Sequence, residues 1–549
     1  MRTPFVFPGL LLGQLMLSLA VSAQTRPTED PLQKLLREQR ERERETRAKE
    51  QPALGGLLQE IDVDRMAPQE IKEDGPVFVI ARIRVSGNTL LKPGDIAQTT
   101  APFEGIELGQ QRINALLRRL TRRYFEHGYI TTRVVLGAQN LTSGELEITV
   151  IEGFIERISY SEQGKPARTG LALPFASPDK LSLWDLEQGL EQINRLGRNK
   201  AELQIIAGES PGGSVIAISN NPDKAWRVSA GVDNSEPTGS ALNRIRATAE
   251  LENLTGWQEA STFTYSGTRQ TNSLLISTSL PIGYSTLNYV AAYSEFQSPV
   301  GDFAVLFGDS RAQTLGFSRV MQRGSAAKTT LDFSLSQRIS RRFIDDISLT
   351  PQRLTVLKLT VSRLRKMANG TVVTEWGWAR GVKMLRATTD AEGLPDDATH
   401  AQFNKFDALL SWQWQPASSY SARHNLQMQY SKTGLYGAEQ LYVGGTASVR
   451  GFRDSLVGDQ GAYMRNELAR RISPSLIGDK TFGEIYLAAD FGAAKQVFET
   501  TFKRLSGASL GTRVQGRFYS LDLTFSRGLT ASQPTRKESL FSASLQFRY

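Results

Sequence analysis

The chain has 549 residues, no cysteine, three histidines and a formal net charge of +9. The lack of cysteine excludes disulfides and thiolate chemistry, and a zinc ion would depend on His127, His400 and His424, which are scattered without ligand spacing. The basic excess includes no Lys/Arg block or stacked aromatic residues of the kind that indicate nucleic acid. We therefore expect no metal, no cofactor and no nucleic-acid partner.

The N-terminus is typical of a secretory signal peptide at residues 1–23. Arg2 precedes an apolar stretch from Phe5 to Ala20, and small residues lead to a cleavage position after Ala23. A short membrane anchor is the alternative, but the apolar part is shorter than the roughly 20 residues that a spanning helix needs. No later stretch comes near about 18 apolar residues, so a mature chain that crosses a membrane must do so as a closed β-barrel.

Residues 24–51 are predicted to carry a charged helix. It begins near Pro31 with Leu32 and Leu35, and continues with Arg and Glu in alternation. Pairs of opposite charge four residues apart can support such a solvated helix. A disordered charged linker is the alternative, and a long polar helix could equally lie inside a polar lumen. Residues 52–75 show no periodicity and are predicted to be a linker.

Two compact units follow at 76–153 and 154–225. In each unit a strand precedes a helix with apolar residues at helical spacing, and two more strands follow. The predicted strands lie at 78–85, 130–136 and 145–151 in the first unit, and at 155–160, 201–207 and 214–220 in the second. The shared order predicts an internal structural repeat. Small α+β units of this kind leave a sheet edge to which an extended peptide can add as a further strand.

Residues 226–549 are predicted to form a transmembrane β-barrel. In the last segment one face carries Phe541, Ala543, Leu545, Phe547 and Tyr549, and the other carries Ser542, Ser544, Gln546 and Arg548. Strict alternation indicates a strand with one face in lipid and the other in a wet lumen. Similar segments upstream give about sixteen strands in roughly 320 residues, a normal ratio for such barrels. A soluble β-sandwich is the alternative.

The alternation also places a carboxylate in the lumen. Between residues 483 and 493 the apolar face carries Ile485, Leu487 and Phe491, and the polar face carries Glu484, Tyr486 and Asp490. A long Gly-rich loop at 443–461 contains the tetrapeptide Val449-Arg450-Gly451-Phe452.

Several local strings agree with one known family. They are the tetrapeptide in the Gly-rich loop, Asp490-Phe491-Gly492 on a later strand, the strings at 128–133 and 183–196 in the two repeats, and Pro211-Gly212-Gly213-Ser214. With two repeats ahead of a barrel, they closely resemble the transporter subunit of two-partner secretion systems (TpsB-type), a branch of the superfamily that includes outer-membrane protein insertases. The resemblance covers essentially the whole mature chain.

The resemblance implies both the fold and the location. It implies an all-β transmembrane barrel of sixteen antiparallel strands, preceded by two small α+β polypeptide-transport-associated (POTRA) domains at 76–153 and 154–225. The charged helix at 24–51 resembles a plug that lies in the lumen at rest, and a loop at 434–460 would fold inward. The barrel would lie in the outer membrane of a Gram-negative bacterium, with the POTRA domains in the periplasm.

The resemblance also implies a site in the lumen. Its members would be Val449, Arg450, Gly451 and Phe452 of the loop, with Asp490 and Gly492 on the barrel wall. A guanidinium and a carboxylate in a narrow lumen can form a charge-assisted bidentate pair, so Arg450 is expected to face Asp490. Arg465 and Glu467 share a face of the preceding strand and could extend the network. The alternative is that Asp490 is one more solvated residue of the lumen.

The function implied by the resemblance is a translocation pore of two-partner, type V secretion, with no enzymatic activity. The POTRA domains would recognise the N-terminal secretion domain of an unfolded exoprotein, which crosses the barrel without nucleotide hydrolysis. Outer-membrane lipids and the barrel-assembly machinery are the other implied partners. The cargo stays open among haemolysins, adhesins or haemagglutinins, contact-dependent toxins and iron-acquisition proteins.

Three other functions remain open. An insertase shares the loop and strand motifs but typically carries more periplasmic repeats. An enzyme is suggested only by Gly208-Glu209-Ser210-Pro211-Gly212, which matches Gly-x-Ser-x-Gly but lies in a predicted turn between strands, whereas a nucleophile elbow needs a strand-to-helix turn. A passive porin would not need the repeats.

Overall fold

A computed structural model describes residues 30–49, 67–162, 169–234, 243–300, 304–472, 481–532 and 535–549. The predicted signal peptide at 1–23 and residues 52–66 of the predicted linker lie outside these ranges. Among the described residues, no helix has the length and apolar character needed to cross a membrane. The described chain contains one N-terminal helix, two α+β units and a closed β-barrel.

The N-terminal helix, α1, spans Pro31–Lys49. Asp30 caps its beginning, because Oδ1 of Asp30 accepts a hydrogen bond from the backbone N–H of Leu32 at 2.8 Å. Leu32 and Leu35 are buried, whereas the Arg and Glu residues that follow stay at least partly exposed. The charged sequence therefore forms a helix with a short apolar beginning.

Residues 67–75 correct the predicted linker at 52–75, because they pack on the first α+β unit. Ile71 is buried in the core of that unit. The Glu73 carboxylate accepts hydrogen bonds from the backbone N–H groups of Gly109 at 3.0 Å and Arg112 at 2.8 Å, where a helix begins. These partners lie far along the chain, so a local sequence pattern does not reveal them.

The first α+β unit has a mixed three-stranded sheet covered by helices. Its elements are β1 (Phe78–Ile80), β2 (Arg82–Ser86), α2 (Pro93–Thr100), β3 (Ile106–Leu108), α3 (Gln110–Glu126), β4 (Arg133–Leu136) and β5 (Glu145–Ile151). The sheet order is β2-β5-β4, and β1 pairs with β3. The predicted strand at 78–85 is two strands, because Ala81 N–H bonds the Gly144 carbonyl at 2.8 Å instead of continuing one ladder. Helix α2 and strand β3 were not predicted, since both are too short to show a period.

The second α+β unit repeats the strand–helix–strand–strand order. Its elements are β6 (Phe154–Glu162), α4 (Leu183–Asn194), β7 (Glu202–Ala207) and β8 (Gly213–Asn220). Strand β8 lies between β6, its parallel neighbour, and β7, its antiparallel neighbour. Helix α4 buries Leu186, Leu190 and Ile193 in a core shared with Ile216 and Ile218 of the sheet.

A buried carboxylate joins the two units. The Glu152 side chain accepts a hydrogen bond from the backbone N–H of Thr89 at 2.5 Å and lies 2.9 Å from Nζ of Lys180. Burial alone would raise the pKa of Glu152, but the hydrogen bonds from Thr89 and the charge of Lys180 hold it below its usual value. Leu183 N–H also bonds the Gly128 carbonyl at 2.8 Å, so the units form a connected tandem.

Sixteen antiparallel strands close the barrel, which confirms the predicted fold class. They are β9 (Trp226–Asp233), β10 (Arg244–Glu252), β11 (Ala260–Gly267), β12 (Thr271–Ile282), β13 (Ser285–Val300), β14 (Ala304–Arg323), β15 (Ala327–Ile344), β16 (Gln352–Met367), β17 (Gly370–Gly381), β18 (Asn404–Ala417), β19 (Tyr420–Ser431), β20 (Gln460–Ile472), β21 (Phe482–Lys495), β22 (Lys503–Gln515), β23 (Tyr519–Ala531) and β24 (Ser539–Arg548). Strand β9 pairs with β10 on one side and with β24 on the other. On β21, Leu487 is 61% exposed whereas Asp490 is fully buried, so alternate side chains face outward and inward.

The second α+β unit docks on one end of the barrel through helix α4. The two carboxylate oxygens of Glu191 each lie 2.6 Å from a cation, Nη2 of Arg323 and Nζ of Lys328. Gln192 Nε2 donates to the Gly283 carbonyl at 2.9 Å. The turns after β12 and β14 therefore share one side of the barrel with the α+β units, and the loop between β19 and β20 begins at the opposite end.

Candidate functional site

The loop between β19 and β20 folds back into the barrel. It contains the short segments Gly434–Leu435, Gly437–Glu439, Leu441–Val443 and Leu456–Gly458, the last two paired as antiparallel strands. Asp459 is buried at its base and accepts hydrogen bonds from Leu435 N–H at 2.9 Å, Gln440 Nε2 at 3.0 Å and Val497 N–H at 3.0 Å. The Asp459 carboxylate therefore ties two parts of the loop base together and joins them to the turn between β21 and β22.

The loop packs on the barrel wall through an apolar cluster. The cluster consists of Leu441, Val443, Val449, Phe452 and Leu456 from the loop, and Tyr463, Ala494 and Leu505 from the wall. Val449 and Phe452 belong to the tetrapeptide that the sequence singles out, and both are buried. Their burial removes apolar surface from water, so this contact holds the loop against the wall.

Glycines on three neighbouring strands form the seat of the loop tip. Gly451 has a φ of +93°, and a Cβ there would lie 2.5 Å from the backbone nitrogen of Gly528. A Cβ at Gly507 would lie 1.9 Å from the Arg450 carbonyl oxygen, and one at Gly492 would lie 2.4 Å from Cγ1 of Val443. Backbone therefore approaches backbone at Gly451 and Gly507, and a Cβ at Gly492 would clash with the Val443 side chain.

Arg450 and Asp490 meet at the centre of this seat, with 4% and 0% of their surface exposed. Nε of Arg450 lies 2.6 Å from Oδ2 of Asp490, and Nη2 lies 2.8 Å from Oδ1. The backbone N–H of Arg450 donates to the same carboxylate at 3.1 Å. Each oxygen thus receives a charge-assisted bond, in the bidentate geometry that planar guanidinium favours.

A larger ion network surrounds this pair. Glu467 accepts from Nη1 of Arg450 at 3.3 Å and from both terminal nitrogens of Arg513, at 2.5 and 2.8 Å. Arg513 also reaches Glu484, which Arg423 approaches from the other side at 3.3 Å. The Arg513 guanidinium lies 4.0 Å from the ring centroid of Tyr486. Paired charges from strands β19 to β22 therefore support the Arg450 seat.

The structure separates the two residues that the sequence proposed as an extension. Glu467 is part of the network, whereas Arg465 donates from Nη1 to the Ala447 carbonyl of the loop at 3.3 Å. Sequence reasoning missed Arg423 and Arg513, and it placed Glu484 only on the polar face. Their inward parity was the available signal, but parity alone does not tell which strands carry partners.

Helix α1 lies inside the barrel, along the inner wall of β12, β13 and β14. Leu32 and Leu35 pack on Leu275, Ala292 and Ala312 of these strands. This small apolar contact is the part of the helix that excludes water most completely.

The charged part of helix α1 pairs with the wall. Glu38 contacts Arg244, with Nη1 at 2.8 Å, and also Arg246; Nη2 of Arg44 lies 2.7 Å from Glu375. Two cavities of about 530 and 840 Å³ border the helix, so much of its polar surface faces open space. The helix therefore blocks the lumen without filling it.

No alternative chemistry gathers at another site among the residues that the structure describes. Groups of three or more His, Asp or Glu able to hold a metal are absent from that part of the chain. Ser210 lies in the turn between β7 and β8, where its backbone N–H donates to Glu156 at 3.0 Å. This turn does not have the strand-to-helix shape that a nucleophile elbow needs.

Comparison with known families gives the same assignment as the residues. Residues 212–514, more than half of the chain, match the family described as haemolysin secretion/activation protein ShlB/FhaC/HecB. Residues 78–153 match a ShlB-type POTRA domain, and residues 154–207 match a POTRA domain. The chain belongs to this family. The predicted resemblance is confirmed, and the two α+β units are POTRA 1 and POTRA 2 of a ShlB-type transporter.

Relatives and solved structures support the assignment over nearly all of the chain. The outer membrane transporter CdiB of Dickeya dadantii (strain 3937) is 30% identical over 463 residues, which are 82% of each chain. The hemolysin transporter protein ShlB of Serratia marcescens is 28% identical, over 97% of this chain and 98% of its own. The solved structure of CdiB from Escherichia coli has a TM-score of 0.85 at 25% identity and covers 100% of both chains. The predicted location is confirmed: the barrel lies in the outer membrane and the POTRA domains lie in the periplasm.

Proposed function

We propose that this ShlB-type transporter exports one unfolded exoprotein through its barrel, after the POTRA domains have bound the exoprotein's N-terminal secretion domain. Export uses no nucleotide. Folding of the exoprotein outside the cell draws the exoprotein outward by mass action. The other partners are the outer-membrane lipids around the barrel and the barrel-assembly machinery that inserts it.

The observation that carries this proposal is a lumen blocked by a helix with a small apolar contact. Beyond Leu32 and Leu35, the contacts of helix α1 with the wall include ion pairs such as Arg44 with Glu375. Partly solvated ion pairs contribute little net stability, because water replaces them when they separate. We propose that the helix leaves the lumen to admit the cargo and returns afterwards.

The open sheet edges of the POTRA domains support binding of an extended segment. Strand β4 is at one edge of the POTRA 1 sheet and β7 is at one edge of the POTRA 2 sheet. Val135, Leu136 and Ile206 on these strands are 37, 39 and 49% exposed. An added strand would gain main-chain hydrogen bonds at either edge and cover these side chains, in a manner that tolerates varied sequences.

We propose that the loop tip keeps the wall of the conduit in a transport-competent form. In this view Val449, Gly451 and Phe452 hold the tip on the seat around Gly492, while Arg450 neutralises Asp490. Glu467 would orient Arg450, and Arg465 would hold the loop backbone. The contacts above support these roles, and the variants described in the Discussion test them.

Secretion from living cells tests the function directly. The chain would be co-expressed with the exoprotein encoded in the adjacent reading frame, and the exoprotein would be measured in the medium and in the periplasm. We expect export with the full chain and periplasmic retention with a chain that lacks residues 76–225. Equal amounts in the medium with and without the chain would show that the exoprotein is not its cargo.

A further inference from the structure

The periplasmic rim of the barrel has two sectors that differ in whether their basic residues form ion pairs. Below POTRA 2, Arg323 and Lys328 are neutralised by carboxylates of helix α4. On the remaining rim, Lys224, Arg470 and Arg517 are exposed. No carboxylate of the described chain forms an ion pair with any of these three, which we call the rim cations. Within the described chain, this sector therefore offers positive charge that has no paired carboxylate.

Each rim cation lies beside an aromatic ring. Arg470 lies 5.7 Å from the ring centroid of Tyr420, Arg517 lies 4.9 Å from that of Phe518, and Lys224 lies 5.1 and 4.2 Å from those of Trp226 and Tyr549. Cations over aromatic faces gain electrostatic attraction. Each of the three charges therefore lies next to a ring that favours its position.

The rings mark the level of the lipid headgroups. Tyr420, Phe518, Trp226 and Tyr549 are 39, 52, 42 and 66% exposed, and they stand at strand ends or turns on the periplasmic side. Aromatic residues collect at membrane interfaces because their rings suit the boundary between hydrocarbon and water. Cations beside such rings lie at the level of the phosphates of the periplasmic leaflet, where basic clusters bind anionic headgroups.

Lys224 occupies a special place among the rim cations. It lies over Trp226, which begins β9, and Tyr549, which follows β24, and these two strands close the barrel. Five residue pairs join β9 to β24, whereas sixteen join β13 to β14. A headgroup bound at Lys224 would contact both strands at the periplasmic end of this short seam.

We propose that the rim between the β18–β19 turn and the seam binds anionic phospholipids of the periplasmic leaflet. Arg470, Arg517 and Lys224 donate to phosphate oxygens, and the aromatic side chains face the upper part of the acyl chains. The proposal depends on the position of the barrel in the membrane and is independent of the cargo, so a failure of the export hypothesis would leave it standing.

Lipid titration of the full chain in neutral detergent tests the site. Native mass spectrometry would compare the affinity for cardiolipin with that for phosphatidylcholine, in the wild type and in the triple variant K224Q/R470Q/R517Q. We expect the wild type to prefer cardiolipin and the triple variant to lose on the order of tenfold in cardiolipin affinity, because each cation near anionic headgroups adds to binding. An unchanged affinity for cardiolipin in the triple variant would overturn the proposal.

A control variant separates this site from general charge effects. The triple variant K383Q/R504Q/K537Q removes three exposed cations from extracellular segments and should bind cardiolipin as the wild type does. An equal loss of affinity in this control variant would contradict a localised site.

A protein partner is the remaining explanation for the rim cations. A poly-glutamate peptide would be added to the cardiolipin complex, and we expect it to leave the bound lipid in place. Displacement of cardiolipin by the peptide would assign this sector to an acidic segment instead and overturn the lipid assignment. The melting temperature of the triple variant in neutral detergent would report whether it folds. If it does not fold, the single variants R470Q and R517Q would be tested in its place.

Discussion

The inward loop and helix α1 lie in the same lumen but are held there by different kinds of interaction. The loop is joined to barrel strands at both ends, and its tip is fully seated: Arg450 and Phe452 are 4 and 2% exposed. Helix α1 has its apolar contacts only near its beginning, at Leu32 and Leu35, and its charged part borders open cavities. The two elements occupy the same passage, but the loop tip is buried whereas much of the charged part of the helix borders open space.

This difference indicates which element can leave its place at the lower cost in free energy. Removing the loop tip would expose the Asp490 carboxylate and separate backbones that touch at Gly451 and Gly507, so much of its binding is lost at once. Removing the helix exposes Leu32 and Leu35 to water and separates partly wet ion pairs, and such pairs contribute little net stability. We therefore propose that the loop stays in place as part of the conduit wall and that the helix is the plug that leaves.

The largest expected effect comes from Arg450→Ala. It leaves the buried carboxylate of Asp490 without its cation, a loss that typically costs about 3–5 kcal/mol. We expect secretion to fall to background while the protein still reaches the outer membrane, as measured by exoprotein in the medium and by barrel levels in membranes. Arg453→Ala is the matched control, because Arg453 lies in the same loop, is 36% exposed at its side chain and should tolerate the change. Full secretion by the Arg450 variant would remove the loop from the mechanism.

A pair of glycine substitutions distinguishes the fit of the loop tip on its seat from backbone strain in the loop. Gly451 and Gly445 both have positive φ, +93° and +86°, but only at Gly451 would a Cβ meet the wall. Both alanine variants carry backbone strain of about 1 kcal/mol or more, and Gly451→Ala adds the clash with Gly528. Secretion assays should show a large loss for Gly451→Ala and a small one for Gly445→Ala. Similar losses in both would attribute the effect to strain rather than to the seat.

Deleting residues 24–51 tests the plug side of the comparison. Without helix α1 the cavities of about 530 and 840 Å³ beside it would join into one aqueous path. Single-channel conductance in planar bilayers should rise, and secretion should remain largely intact because the loop seat is untouched. Unchanged conductance would count against the helix as a plug, and lost secretion would show that it does more than block the lumen.

The smallest effect is expected from Glu38→Gln in the helix. The change removes the charge that Arg244 and Arg246 share, and a partly wet contact of this kind contributes about 1 kcal/mol, roughly a fivefold change in the population of the open state. Planar bilayers should show more frequent openings at unaltered full conductance. Glu43→Gln is the control, since Glu43 is exposed and accepts a hydrogen bond from Gln39 of its own helix. Equal opening frequencies in both variants would show that contacts other than those of Glu38 keep the helix in the lumen.

The sequence determined the elements whose information is local. A period of two along 483–493 fixes which side chains enter the lumen, and it placed Asp490 and Glu484 on that side before any pairing was known. The same reasoning identified helix α1 and the repeat of the POTRA domains, because helical spacing and turn residues are read over a short window. The strings around Arg450 and Asp490 added a family resemblance, which carried the proposed pairing of the two.

Only the tertiary structure decided the partners, because strand pairing unites residues that lie far apart in the chain. Arg465 is opposite Asp490 in the ladder, yet Arg450 already supplies donors to both oxygens of that carboxylate, so Arg465 reaches the Ala447 carbonyl instead. Arg513 enters the network from a strand that no local pattern connects with Glu467. Periodicity therefore predicted which side chains face the lumen. Barrel closure and the close backbone approach at Gly451 and Gly507 determine which of those side chains contact each other.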